Sequence, residues 1–262
     1  MVLALFIGEA QAFSAIDVKD NTPKQNPCDK TVMPDDVYAD FKAALAKFLS
    51  GEAIAGIDRQ IADEIGTKKT VPIEVYVDDL KGFKKQWKED TNGLPGNSDK
   101  TDEEFNEEAE NIYHSHPAYT YISDQTKKGV QVIKVKFFCT QDLRIRTIDN
   151  NESSGWKLYE QMLHEFIHAK LYSYNVLGKK PPFKDHDDDP KNDGEEEFFK
   201  RFKNYLDKYK NTFAQLQKQV EKEAARASLE ATTFEDLQTE EPNLLPTSRL
   251  YFLKEWKRVL KK

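Results

Sequence analysis

His164, Glu165 and His168 stand in the order H-E-x-x-H within the stretch Leu163-His164-Glu165-Phe166-Ile167-His168-Ala169. Residues four apart stack on one face of a helix, so the two imidazoles can meet one metal ion while the Glu165 carboxyl points beside it. The chemistry this spacing suits is metal-assisted hydrolysis: neutral nitrogen ligands hold a zinc ion, and the carboxylate takes a proton from the water that the ion activates. The chain holds only five His, and two fall in this motif. A catalytic zinc usually has three protein ligands and keeps one position for water. The candidates for the third are His186, eighteen positions after His168, and the Glu195-Glu196-Glu197 cluster that opens a later helix.

Such a motif must ride on a helix held from behind. Trp156, Leu158, Tyr159, Met162, Leu163, Phe166, Ile167 and Leu171 recur at helical spacing, and Gly155 after Ser153 and Ser154 supplies a start. Alternation of Ile133, Val135, Phe137 and Cys139 with Lys134, Lys136 and Phe138 predicts a strand over 130–139, and Leu143, Ile145 and Ile148 predict a second short one. Val71, Ile73, Val75 and Val77 predict another strand over 71–78. Helices are expected after Pro34-Asp35-Asp36 and from Ile54 to a stop at Gly66, in a short amphipathic segment at Leu80, Phe83 and Trp87, and over Asp102 to Tyr113. Phe198, Phe202, Tyr205, Tyr209, Phe213, Leu216 and Val220 mark a long charged helix, and Leu250 to Leu260 a final short one.

With 262 residues, 38% hydrophobic and 32% charged, the chain can bury a sizeable core. A net charge of −7 argues against nucleic acid as the default partner. No run approaches the roughly 18 apolar residues of a membrane span. Cys28 and Cys139 are too few and too far apart for a zinc ribbon, though export would let them pair. The apolar run Val2 to Ile7 and the small residues at Ala10-Gln11-Ala12 read as a truncated signal peptide or as a plain N-terminal strand or helix. The first reading implies export and a mature start near Phe13 to Ile16; the second implies a cytoplasmic protein.

The active helix, Leu163 to Tyr172, resembles that of the SprT-like (Spartan-type) zinc metallopeptidases, whose helix reads H-E-x-x-H-A. The resemblance spans roughly residues 130 to 205 and includes a strand before the helix, then a loop, a His and an aromatic helix after it. It implies one catalytic Zn2+ held by His164, His168 and His186, with Phe198 or Phe199 as the Phe that follows. Relatives place a Gly directly after the third His, whereas here Asp187 to Gly194 intervene; gluzincin peptidases use a Glu from a downstream helix, so the Glu cluster stays open. The zinc ribbon of many relatives is absent, and with it any implied role in DNA-crosslink repair.

The expected architecture is therefore an α+β zincin-like domain over 34–210, a small sheet above the HExxH helix, preceded by a polar linker at 17–33 within an N-terminal segment 1–33 and followed by a helical extension over 211–262. The expected activity is hydrolysis of peptide bonds in a protein or peptide substrate, with Glu165 as general base, and with the strand 130–139 as the edge that pairs with substrate. The alternative is a non-catalytic interaction protein with a vestigial zincin core. His114 and His116 read as loop residues, solvated or reaching the cleft, and Asp185, Asp187, Asp188, Asp189 and Asp193 as a solvated acidic loop.

Overall fold

Val71, Ile73, Val75 and Val77 occupy one face of a strand, and pairing them in register with Ile133, Val135 and Phe137 creates an apolar surface that helices must cover. In the computed structural model, which describes residues 14–66, 68–149, 157–186 and 197–209, that surface belongs to a four-stranded mixed sheet. Its strands are β1 (Ile16–Asp20), β2 (Val71–Asp78), β3 (Ala118–Lys127) and β4 (Val130–Phe138), in the spatial order β1-β2-β4-β3. β1 and β4 run parallel to β2, and β3 runs antiparallel to β4.

Seven helices are present among the described residues: α1 (Asp35–Leu49), α2 (Glu52–Ile65), α3 (Leu80–Thr91), α4 (Asp102–Ser115), α5 (Gln141–Asp149), α6 (Lys157–Val176) and α7 (197–209). α1, α2, α5, α6 and α7 share the main core with the apolar sheet face. The α3–α4 hairpin covers the other face, where Phe83, Trp87, Phe105 and Tyr113 pack on Tyr121 and Phe138. The chain is thus α+β, and none of its described helices is long and apolar enough to cross a membrane.

Local chemistry explains the helix ends. Asp35 and Asp36 lie in the first turn of α1, Gly66 closes α2 in the left-handed conformation at φ 60°, and Thr101 with Glu104 forms a reciprocal capping box at the start of α4. One glycine has a packing role: a Cβ on Gly56 would lie 1.6 Å from the Tyr209 hydroxyl, so the bare backbone of α2 is what lets α7 dock.

Several expectations are corrected. The segment 141–149 is α5, not a strand: Leu143 is buried, Ile145 is half exposed, and Arg146 pairs with Asp142 one turn back, a helical pattern that two-residue alternation mimics over so short a stretch. The polar linker expected over 17–33 begins with β1, whose Asp17 and Lys19 alternate with Ile16 and Val18 against β2. β4 lies between β2 and β3, so β3 and not the strand 130–139 forms the edge on that side. His114 lies in the last turn of α4 and is not a loop residue, whereas His116 is the extended C-cap residue just outside it; both are exposed.

Lys134 and Lys136 are 1% and 0% exposed because the α3–α4 hairpin roofs them. Burial of an ammonium requires a partner. Lys134 Nζ meets Asp90 Oδ1 at 2.5 Å, and Lys136 Nζ meets Asp78 Oδ2 at 2.8 Å; Tyr121 donates to the other Asp90 oxygen.

Cys28 and Cys139 form a disulfide that ties the segment after β1 to the end of β4. The two lie 111 positions apart, and a cross-link over roughly 100 residues removes denatured-state entropy worth at most about 4.7 kcal/mol. Reduction, or paired Cys28→Ser and Cys139→Ser substitution, is expected to lower the urea midpoint markedly; an unchanged midpoint would contradict a structural role. The N-terminal apolar run, the helix start at Gly155, Asp187 to Gly194, the continuation of the long helix past 209 and the final short helix lie outside the described residues.

Candidate metal centre

Leu158, Met162, Leu163, Phe166, Ile167 and Leu171 are buried in the main core, which fixes the rotation of α6. Its remaining face carries His164 and His168 one turn apart. Their Nε2 atoms lie 3.0 Å from each other, and the loop after α6 brings His186 to the same point. His186 Nε2 is 3.3 Å from that of His164 and 3.1 Å from that of His168. Three ring nitrogens thus converge on one point, and the group could hold a metal ion.

The spacing is informative. Two nitrogens bound at 2.0–2.1 Å on a tetrahedral ion lie about 3.3 Å apart, so the three atoms stand within a few tenths of an ångström of the separation that zinc requires. An all-imidazole donor set suits zinc and its transition-metal neighbours, not calcium or magnesium, which take oxygen ligands.

Asp185 fixes the tautomer of one ring. Its Oδ2 lies 2.7 Å from His168 Nδ1, and both side chains are buried. An ionised carboxylate can only accept, so Nδ1 carries the proton and, in the neutral ring, Nε2 presents its lone pair to the shared point. Asp185, expected as part of a solvated acidic loop, is instead 2% exposed and orients His168. Replacing it with Asn leaves an amide that can accept the same bond but carries no charge, and outer partners of ligand imidazoles are worth about 10–100-fold in metal affinity. Asp185→Asn is therefore expected to weaken zinc binding within that range, measured by competition with a chelating indicator.

Phe198 supports all three rings from the first turn of α7. It is fully buried, with centroid distances of 5.1 Å to His164, 4.8 Å to His168 and 4.5 Å to His186. Phe199 is 42% exposed and stacks on His186. Glu197 is ion-paired with Arg201 and is not among the converging groups; Glu195 and Glu196 lie outside the described residues.

Glu165 faces the sheet beside this cluster. It is 3% exposed, its Oε2 accepts from the Thr120 hydroxyl of β3 at 2.7 Å, and its Oε1 accepts from Gln161 Nε2 at 2.7 Å. Burial pushes its carboxyl above the ordinary glutamate range, opposed by the nearby His168, by those two hydrogen bonds and by His116. A buried, oriented carboxylate of raised basicity is suited to accepting a proton.

Known proteins give no further lead. No protein-family model matches the chain, and neither a curated protein nor a solved structure is similar to it. The reading of the site therefore stands on its own geometry.

Two participants had no place in the sequence reading. Gln161 lies four residues before Glu165, and the same helical periodicity that pairs the two His could have found it. Thr120 carries no local signal, because its role depends on β3 crossing α6 from 45 positions away.

Proposed function

We propose that the chain is a zinc-dependent metallopeptidase of SprT-like, zincin character, with His164, His168 and His186 as ligands and Glu165 as general base. The observation that carries this reading is the convergence of three Nε2 atoms within 3.0–3.3 Å beside a buried glutamate on the same helix. When bound, the ion would supply Lewis acidity toward a peptide carbonyl and toward water. The protein's part is positional. Asp185 holds His168, Phe198 packs the three rings into one orientation, and Thr120 and Gln161 aim the Glu165 carboxylate. Glu165 takes the proton from the attacking water and delivers it to the leaving amine.

β3 offers the substrate a track. It is one of the sheet's two edge strands, and Thr120 within it reaches Glu165, so a peptide added along that edge would run past the site. Main-chain pairing of this kind reads extended backbone and favours unfolded segments over folded ones.

The test is cleavage of a chemically unfolded protein by the purified chain. Activity lost on chelation and restored by zinc supports the reading. Zinc bound without cleavage leaves a metal-stabilised interaction protein, and neither zinc nor cleavage leaves a non-catalytic one.

A further inference from the structure

Three lysines are buried among the described residues, and they are not treated alike. Lys134 and Lys136 each have a carboxylate oxygen within 2.8 Å. Lys170, on α6, is 2% exposed, yet its Nζ is held by neutral oxygens, Gln60 Oε1 and Tyr205 Oη, both at 2.8 Å. Its nearest carboxylate, Glu64, stands 3.6 Å away, beyond the 2.7–2.9 Å or so of a charge-assisted bond, and is shared with the Tyr174 hydroxyl. The compensation of a buried charge is incomplete there.

Lys170 lines an open cleft of about 280 Å³ bordered by α2, α6, the loop before His186 and α7. Arg201 and Lys208 enter it from α7, with Asn204 between them, and Glu64 is the one carboxylate among its described lining residues. Arg201 is bonded to Glu197 through Nε, an engagement that does not use its terminal amino groups. Three basic side chains face Glu64, and with Glu197 paired to Arg201 an excess of about one positive charge remains among the described groups. We propose that this cleft is a binding site for a small oxyanion of the phosphate type, with Lys170 as its deep contact and Arg201 and Lys208 as its outer ones.

Occupancy would bear on the metal centre. The walls contributed by Phe183 and α7 belong to the same two segments that place Asp185, His186 and Phe198 at the converging imidazoles. An anion bridging α6 to α7 braces the loop that presents His186, so anion and zinc should strengthen one another's binding by the same factor. This coupling rests on the metal reading proposed above; the anion site does not.

The experiment has two arms on the full chain. In the first, inorganic phosphate is titrated calorimetrically into metal-free protein and into the double variant Arg201→Gln, Lys208→Gln, whose fold is checked by near-ultraviolet circular dichroism. Saturable binding at one site in the parent, weakened at least about tenfold in the variant, is expected; no saturable binding, or equal binding in both, overturns the site. In the second, zinc affinity is measured with sulfate replacing chloride at fixed ionic strength. A gain of about fivefold or more in the parent and none in the variant is expected for coupled sites. Equal responses in parent and variant overturn the coupling, and a chain that takes up no zinc in either salt contradicts the metal reading while leaving the first arm to decide the anion site.

Discussion

Replacing Glu165 with Gln is expected to remove roughly 10²- to 10⁴-fold of the peptidase turnover while leaving zinc content and fold intact. The expectation of an intact fold follows from its partners. Gln161 can donate to the new amide oxygen, and the Thr120 hydroxyl can turn from donor to acceptor for the amide nitrogen, so no buried polar atom is orphaned. The substitution also relieves the desolvation that raises the carboxyl's pKa, and the metal-free variant should therefore unfold at a denaturant concentration no lower than the parent's. Turnover within a factor of two of the parent, at unchanged zinc content, would remove Glu165 from proton transfer.

His186→Ala is expected to weaken zinc binding by more than the roughly 10- to 100-fold that loss of an outer partner costs, because it deletes one of three donors. Glu197→Ala, by contrast, should leave zinc affinity unchanged, since that carboxylate is occupied by Arg201. Glu195→Ala and Glu196→Ala complete the comparison. If His186→Ala binds zinc as tightly as the parent while one Glu variant loses it, the closing ligand is a carboxylate, and the roles of His164, Glu165 and His168 are unaffected.

How much of this was legible from residues alone depended on how local the cause was. α6 was readable because its two His and its apolar stripe obey one period within twenty residues. Gly66 and the acidic start of α1 were equally plain, since caps are decided by their neighbours. The opposite face of the sheet was not. Lys134 and Lys136 alternate with apolar residues like an exposed row, and only the α3–α4 hairpin, with Asp90 and Asp78 placed against them, makes them interior.

β3 passed unread because its Tyr119, Thr120 and Tyr121 are neither uniformly apolar nor cleanly alternating, and with it went the edge beyond β4. α5 was misread because Leu143, Ile145 and Ile148 span too few residues to separate the two periods. At the site itself, His164 and His168 were linked by spacing, whereas His186 was a candidate through family resemblance. What brings it to the others is the loop closing back beneath Phe198, a tertiary event with no sequence period. Asp185 was read as part of a solvated acidic loop, because its burial against His168 is decided by the path of that loop.

Whether three imidazoles hold one zinc ion is decided by an anomalous difference map at the zinc edge, from crystals of the chain grown with one equivalent of zinc. The expected result is a single peak at about 2.0–2.1 Å from the Nε2 atoms of His164, His168 and His186. A map with no peak there, or with a peak ligated by His164 and His168 and a carboxylate in place of His186, would contradict the account.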